Sequence, residues 1–161
     1  MPLGEERLET LYRLFLDHYH RNIAIHTVLF PGAIPALDRL ASGGFRLAVC
    51  TNKLEEHALE LLGKLGALDR FAFVSGKNTF PVFKPDPGHL RLTIERAGGD
   101  PARAIMVGDS KTDIDTAKNA AIPVVGVTFG YTNVHVSDLG ADAVIDHFDA
   151  LDAAVIRLMG A

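Results

Sequence analysis

The sequence predicts an α/β fold, a three-layer doubly wound parallel sheet with helices on both faces. Three observations carry this. Short apolar runs at 45–50, 71–74, 104–107, 124–128 and 143–145 alternate with helical segments. Gly43-Gly44 and Gly98-Gly99 close two of those helices, as C-terminal caps do. Polar residues follow directly on strand ends, Thr51-Asn52 after one and Gly108-Asp109-Ser110 after another, at the rim where open α/β sheets bind ligands.

Residues 5–21 carry Leu8, Leu11, Tyr12, Phe15 and Tyr19 at i, i+3, i+4, i+7 and i+11, which predicts an amphipathic helix. That helix enters the alternation without a preceding strand. A helix over 33–42 follows Pro31-Gly32, and Phe45–Cys50 reads as the first strand. A helix over 54–65 ends at Gly66, and Phe71–Val74 is a short strand. Residues 75–85 form a loop containing glycine and proline, in which Gly76-Lys77-Asn78 reads as a turn. Asp86-Pro87 opens the next helix, with Asp as N-cap and Pro at the first helical position. Strand 104–107, helix 111–120, strand 124–128 and strand 143–145 complete the series.

The chain has 161 residues, enough for one domain with a sizeable core. Charged residues at 22% and the hydrophobic class at 48% fit a soluble globular protein. A formal charge of −4 without a long Lys/Arg cluster argues against nucleic acid as a partner. No apolar run approaches the roughly 20 residues that span a bilayer, which argues against a membrane. The stretch Met1–Arg7 is acidic where a signal peptide is basic and then apolar, so the expected location is the cytoplasm. A single cysteine, Cys50, excludes an intrachain disulfide and a CxxC metal site.

The run Ala104–Asp113 is the most informative stretch. A buried strand delivers Asp109 to its carboxyl end, and a second carboxylate, Asp113, follows one helical turn later on the same face. Hard cations such as Mg²⁺ take oxygen ligands and are often held by one or two carboxylates plus substrate phosphate. With Thr51-Asn52 and Lys84-Pro85, the set reads as a phosphate site. Each residue also has a structural competitor. Asp109 and Asn52 are good helix N-caps, Thr51 suits an ordinary strand end, and loop lysines such as Lys84 are usually solvated. Cys50 reads as a small buried hydrophobe, and the spacing of His18, His20 and His26 does not place two imidazoles on one helix face.

Together these segments resemble the haloacid dehalogenase-like phosphatases, within them the phosphoglycolate phosphatase branch. The matching residues are Val49–Lys53, Phe83–Pro87 and Val107–Asp113, in the family's order, with Val124–Tyr131 and Ala141–Ile145 downstream. The resemblance implies Mg²⁺-dependent hydrolysis of a small phosphorylated metabolite such as 2-phosphoglycolate. It implies Asp109 as a metal ligand, with Asp113 completing or orienting that shell. Lys84 would oppose the phosphoryl oxygens, while Thr51 and Asn52 would donate to one of them through the hydroxyl and the backbone N–H. Residues 1–27 resemble a remnant of a helical cap, and residues 28–161 the phosphatase core.

The resemblance also implies an incomplete core. The family's nucleophile lies on an apolar strand ending Asp-x-Asp-Gly-Thr, upstream of the cap, and this central strand is absent from the chain. Asp113-Ile114-Asp115-Thr116 only mimics it, since it sits inside a helix where Asp115 points away from Asp113. The expectations are a weakened Mg²⁺ site and impaired turnover. The strands ending at Thr51 and Asp109 should either pair directly or flank a gap of about 10 Å, twice the strand spacing, open to another chain or segment. An exposed Leu8-Leu11-Phe15 stripe or these strand edges would favour self-association. The alternative reading is a phosphate-binding pseudo-enzyme or interaction module; a phosphomutase is another activity open to the family. Dehalogenase chemistry is disfavoured because Asp109 stands where those enzymes have a neutral side chain. An in-frame Asp-x-Asp-Gly-Thr strand upstream of Met1 would favour the enzyme. One further departure is Ala121, where the family typically has glycine; a left-handed conformation there costs roughly 1 kcal/mol.

Overall fold

Alternating strands and helices build the chain as its apolar pattern requires. A computed structural model describes residues 4, 7–14, 27–132 and 134–160. Residues 7–14 are helical. The elements that follow are α1 (Ala33–Ser42), β1 (Ala48–Cys50), α2 (Glu55–Lys64), β2 (Phe73–Ser75), α3 (Pro87–Arg96) and β3 (Met106–Gly108). Then come α4 (Lys111–Asn119), β4 (Val124–Val127), β5 (Ala143–Ile145) and α5 (Leu151–Met159). Phe15, Tyr19, His18, His20 and His26 lie outside the described residues.

All pairing is parallel, and it falls into two sheets. β1 pairs with β2, with Val49 opposite Val74. β3, β4 and β5 form the other sheet in that order, with Val107 opposite Val125 and Gly126 opposite Val144. β1 and β3 do not pair, so the expectation that they would join directly is overturned and the gap persists. The strands are also shorter than their apolar runs. β1 starts at Ala48 instead of Phe45, and β3 at Met106 instead of Ala104. Each has a partner on one side only, and a chain without a ladder is not held extended.

Two packed layers cover β4 (Val124–Val127), which is buried throughout. Alternate side chains of a strand face opposite sides. Val125 and Val127 therefore join Ala36 and Leu40 of α1 and Leu151 and Val155 of α5, while Val124 joins Leu90 of α3 and Ile114 and Ala117 of α4. Asp142 locks the start of this strand, its Oδ2 accepting the Val124 N–H at 2.8 Å. On the N-terminal helical residues, Leu8 is 53% and Leu11 48% exposed.

Ala121 takes up the left-handed conformation that its position demands, at φ 54°. It lies just beyond α4, where the Ala121 N–H donates to Lys118 O and the Ile122 N–H to Ala117 O. The helix thus ends in the motif that glycine normally serves. Ala121→Gly is expected to raise stability by about 0.5–1 kcal/mol, the strain of a Cβ there less glycine's greater freedom when unfolded. A rise in the urea midpoint with an unchanged slope checks this; an unmoved or lower midpoint counts against strain.

Candidate active site

Three loops meet at the carboxyl rim of the strands, and one buried ion pair joins two of them. The chain leaves β3 at Gly108, which lies so close to α4 that an added Cβ would stand 2.4 Å from Asp113 Cβ. Ser110 then caps α4. Its Oγ accepts the Asp113 N–H at 3.2 Å, and Asp113 Oδ2 accepts the Ser110 N–H at 3.2 Å and the Ser110 hydroxyl at 2.8 Å. The same Oδ2 accepts the Asp109 N–H at 3.2 Å. This capping box is closed by aspartate at N3 where glutamate or glutamine is usual.

With Ser110 as the cap, Asp109 is released from that duty. Its Oδ2 accepts the Tyr131 N–H at 2.8 Å. The loop bringing that donor must carry glycine at 130, because a Cβ there would lie 2.1 Å from Asp109 Cβ. Aromatic packing holds the loop in place: Phe129 sits 5.2 Å from Phe30 and 4.8 Å from Phe148, centroid to centroid. No spacing in the sequence assigned Gly130 this role. The signal was a glycine just beyond a strand end, which marks close approach of backbone to a side chain.

Lys84 is buried, with its Nζ 2.5 Å from Asp113 Oδ1 and the two side chains 10% and 8% exposed. The competing picture of a solvated loop lysine therefore fails. The Lys84-Pro85 bond is cis. Asn52 grips the Lys84 backbone from both sides, donating Nδ2–H to its carbonyl at 2.9 Å and accepting its N–H on Oδ1 at 3.1 Å. That occupation displaces Asn52 from its other sequence-based role. α2 is instead capped from a distance by Asn78, whose Oδ1 accepts the Glu55 N–H at 2.8 Å. The turn at 76–78 thus serves α2.

Thr51 follows β1 directly, its N–H donating to Ser75 O at 3.0 Å, and its Oγ1 accepts the Lys53 N–H at 3.1 Å. It reaches the rim next to Asn52, but makes no hydrogen bond to Lys84, Asp109 or Asp113 among the described residues. Asp115 turns outward to pair with Lys111. Cys50 is half-buried, and burial pushes its thiol pKa up, so it is a poor nucleophile.

His89, missed by the sequence reading, supports the Lys84 loop from below. It is fully buried, and its Nδ1 lies 3.2 Å from the Lys84 N–H. Burial, and then the Lys84 charge, hold its pKa below the ordinary 6.5. Acceptance of that N–H requires the unprotonated nitrogen.

For a divalent cation, the donor set is slender. Both Asp113 oxygens are committed, one to Lys84 and the other to backbone and Ser110. Asp109 Oδ1 has no protein partner among the described residues. Those residues contain no cluster of three His, Cys, Asp or Glu side chains. The set fits a Mg²⁺ ion held by one direct carboxylate, with Asp113 steering that carboxylate through its backbone and phosphate or water supplying the rest.

The family model for haloacid dehalogenase-like hydrolases matches residues 3–127, which takes in all three loops. The chain belongs to that family. Among curated relatives, the phosphoglycolate phosphatase of Mesorhizobium japonicum is 54% identical over 143 residues, 89% of this chain and 63% of its own length. That of Agrobacterium fabrum is 48% identical over 155 residues, 96% of this chain and 66% of its own. The crystal structure of a predicted phosphoglycolate phosphatase from Haemophilus somnus superposes with a TM-score of 0.90 at 30% identity, over 94% of this chain and 68% of that one. The chain thus spans about two thirds of the length of the relatives it matches. No helix among the described residues is long and apolar enough to cross a membrane.

Two outcomes follow from this geometry. Asp113→Ala strands the buried Lys84 charge and should cost about 3–5 kcal/mol, whereas Asp109→Asn should stay within about 1 kcal/mol; urea titration of both variants compares them. The second concerns pH. Native His89 binds its proton less readily than the unfolded chain, so its share of stability is present above 6.5 and is lost as pH falls through the depressed native value. Between about pH 7.5 and pH 5.5 the wild type should lose more stability than His89→Asn. Equal losses would show that His89 does not titrate with folding.

Proposed function

We propose that this chain forms the phosphate- and metal-binding rim of a Mg²⁺-dependent phosphomonoester hydrolase of the phosphoglycolate phosphatase type. Residues 28–161 act as its core and residues 1–27 as a remnant of a helical cap. The observation that carries this reading is the Lys84 ammonium, fixed by Asp113 beside Asp109 at the strand rim. An ammonium has three donors, and Asp113 engages one. The others are directed at phosphoryl oxygens, with the Thr51 hydroxyl and the Asn52 backbone N–H as neutral donors. Asp109 would hold Mg²⁺, and the ion would supply charge that offsets the repulsion between a dianionic ester and an approaching nucleophile. Asp113 acts through Lys84 and through the Asp109 backbone.

Turnover is proposed to be impaired, because among the described residues each carboxylate at this rim is assigned to metal, lysine or cap. The substrate class is a small phosphorylated metabolite, with 2-phosphoglycolate favoured by the names of the relatives. The setting is cytoplasmic, and the exposed Leu8 and Leu11 side chains favour self-association. A second reading, a phosphate-binding pseudo-enzyme or interaction module, is favoured by the slender donor set.

Inorganic phosphate titrated into the protein by ³¹P NMR should bind about ten- to a hundredfold more weakly to Lys84→Met, since charged hydrogen bonds contribute about 1.5–3 kcal/mol. Unchanged binding would remove Lys84 from the site. In parallel, 2-phosphoglycolate with Mg²⁺ should release no phosphate above background. Release that disappears in Asp109→Ala would overturn the impairment and the second reading together.

A further inference from the structure

Two turns at the strand rim bear on Asp109, and one phenylalanine joins them. Thr128 N–H donates to Ile145 O at 3.0 Å, which fixes the start of the loop after β4. Two residues further, Gly130 lies against Asp109 so closely that an added Cβ would stand 2.2 Å from Oδ2. Tyr131 N–H then donates to that same oxygen at 2.8 Å. The loop thereby covers one side of the carboxylate and occupies one oxygen. The other, Oδ1, is left for a cation.

Backbone bonds alone do not hold the loop in this place. Phe30 meets the residues on both sides of Gly130. Its ring centroid lies 5.2 Å from that of Phe129, with the planes at 66°, and 5.7 Å from that of Tyr131. Edge and offset contacts of this kind are the favoured aromatic geometries. Phe129 has a second anchor in Phe148, at 4.8 Å. Tyr131 meets one ring among the described residues, that of Phe30. Phe30 itself is fixed from the core. Its carbonyl accepts the Ala33 N–H at 3.1 Å at the start of α1. Gly32, at φ 79°, presses on the turn at 147–149, where a Cβ would lie 3.0 Å from His147 Cε1 and 3.3 Å from Phe148 Cβ. The seat of Phe30 is thus set by α1 and the turn before α5.

We infer that Phe30 is a positioning residue for Asp109: it seats the 128–131 loop so that Tyr131 N–H holds one carboxylate oxygen and the other is presented to a divalent cation. This rests on the reading of Asp109 as the ion's direct ligand. A carboxylate that is oriented only on binding loses its freedom at that moment, whereas one already held has lost it on folding. Removing a group that orients a ligand in this way costs about ten- to a hundredfold in metal affinity. The phosphate side of the rim has separate ties, since Lys84 is held by Asp113 and Asn52. Loss of the Phe30 ring should therefore weaken the cation and spare the anion.

The test compares wild type, Phe30→Ala and Phe30→Tyr, with Mn²⁺ as a spectroscopic substitute for Mg²⁺. Phe30→Ala should weaken Mn²⁺ binding, read by water-proton relaxation, by about tenfold. Exchange of the Tyr131 amide should quicken by at least about tenfold as its bond to Asp109 loosens. Inorganic phosphate, titrated without metal and followed by ³¹P NMR, should bind Phe30→Ala as it binds wild type. Phe30→Tyr keeps the ring and should restore Mn²⁺ binding to within about twofold of wild type. Should Phe30→Ala unfold, Phe30→Leu keeps an apolar side chain without the ring, and the same split between cation and anion is expected. An unchanged Tyr131 amide would overturn the inference, as would equal losses of Mn²⁺ and phosphate or no rescue by Phe30→Tyr. Mn²⁺ binding that is absent, or that survives Asp109→Asn, would overturn the metal reading instead, and Tyr131 exchange would still decide whether Phe30 seats the loop.

Discussion

The buried contact between Lys84 and Asp113 is the constraint on which the rim depends. Each charge taken from water carries a desolvation cost of several kcal/mol, so the pair is a poor source of net stability. What it fixes is position. Asp113 uses one oxygen for Lys84 and the other for the start of α4, which ties the lysine loop to the end of β3. Asn52 makes the matching tie to β1 by holding both polar groups of the Lys84 backbone. A cation, an amide and a carboxylate are thereby registered to one another although 61 positions separate Asn52 from Asp113.

Around that knot the two halves of the sheet differ in how well they are covered. β4 has a strand on either side and a helical layer on each face, and it is buried throughout. β1 has one neighbour and is only half-buried. The difference is not one of composition, since both segments are apolar. A parallel strand is stable when both faces and both edges are occupied, and the open edges of β1 and β3 explain why their ladders are shorter than their apolar runs. The layers persist because their helices pack on β3, β4 and β5 through two separate clusters.

Much of the local structure was legible from residue types. Asp86 before Pro87 marked the start of α3, where its Oδ1 accepts the Gly88 N–H at 2.7 Å. Gly43-Gly44 marked the end of α1, and Ala121 stood out as a non-glycine where glycine was wanted. These features depend on a few neighbouring dihedrals, which sequence states directly. Asn52 was legible as a capping residue and yet caps nothing. Its amide serves Lys84, while Asn78 caps α2 from across a loop. An asparagine carries the same donors and acceptors in either role, so residue type cannot choose between them.

By itself, then, the sequence determined the order of elements and the parallel α/β class, and it singled out Thr51, Lys84, Asp109 and Asp113 as candidate site residues. Apolar period, turn chemistry and ligand type are local properties of the chain. Only the tertiary structure decided that Asp113 spends both oxygens on Lys84 and the α4 start, that His89 lies beneath the lysine loop, and that β1 and β3 stay apart. Those outcomes depend on distances between segments far apart in sequence, and such distances are fixed by how the helical layers pack, which no local pattern records.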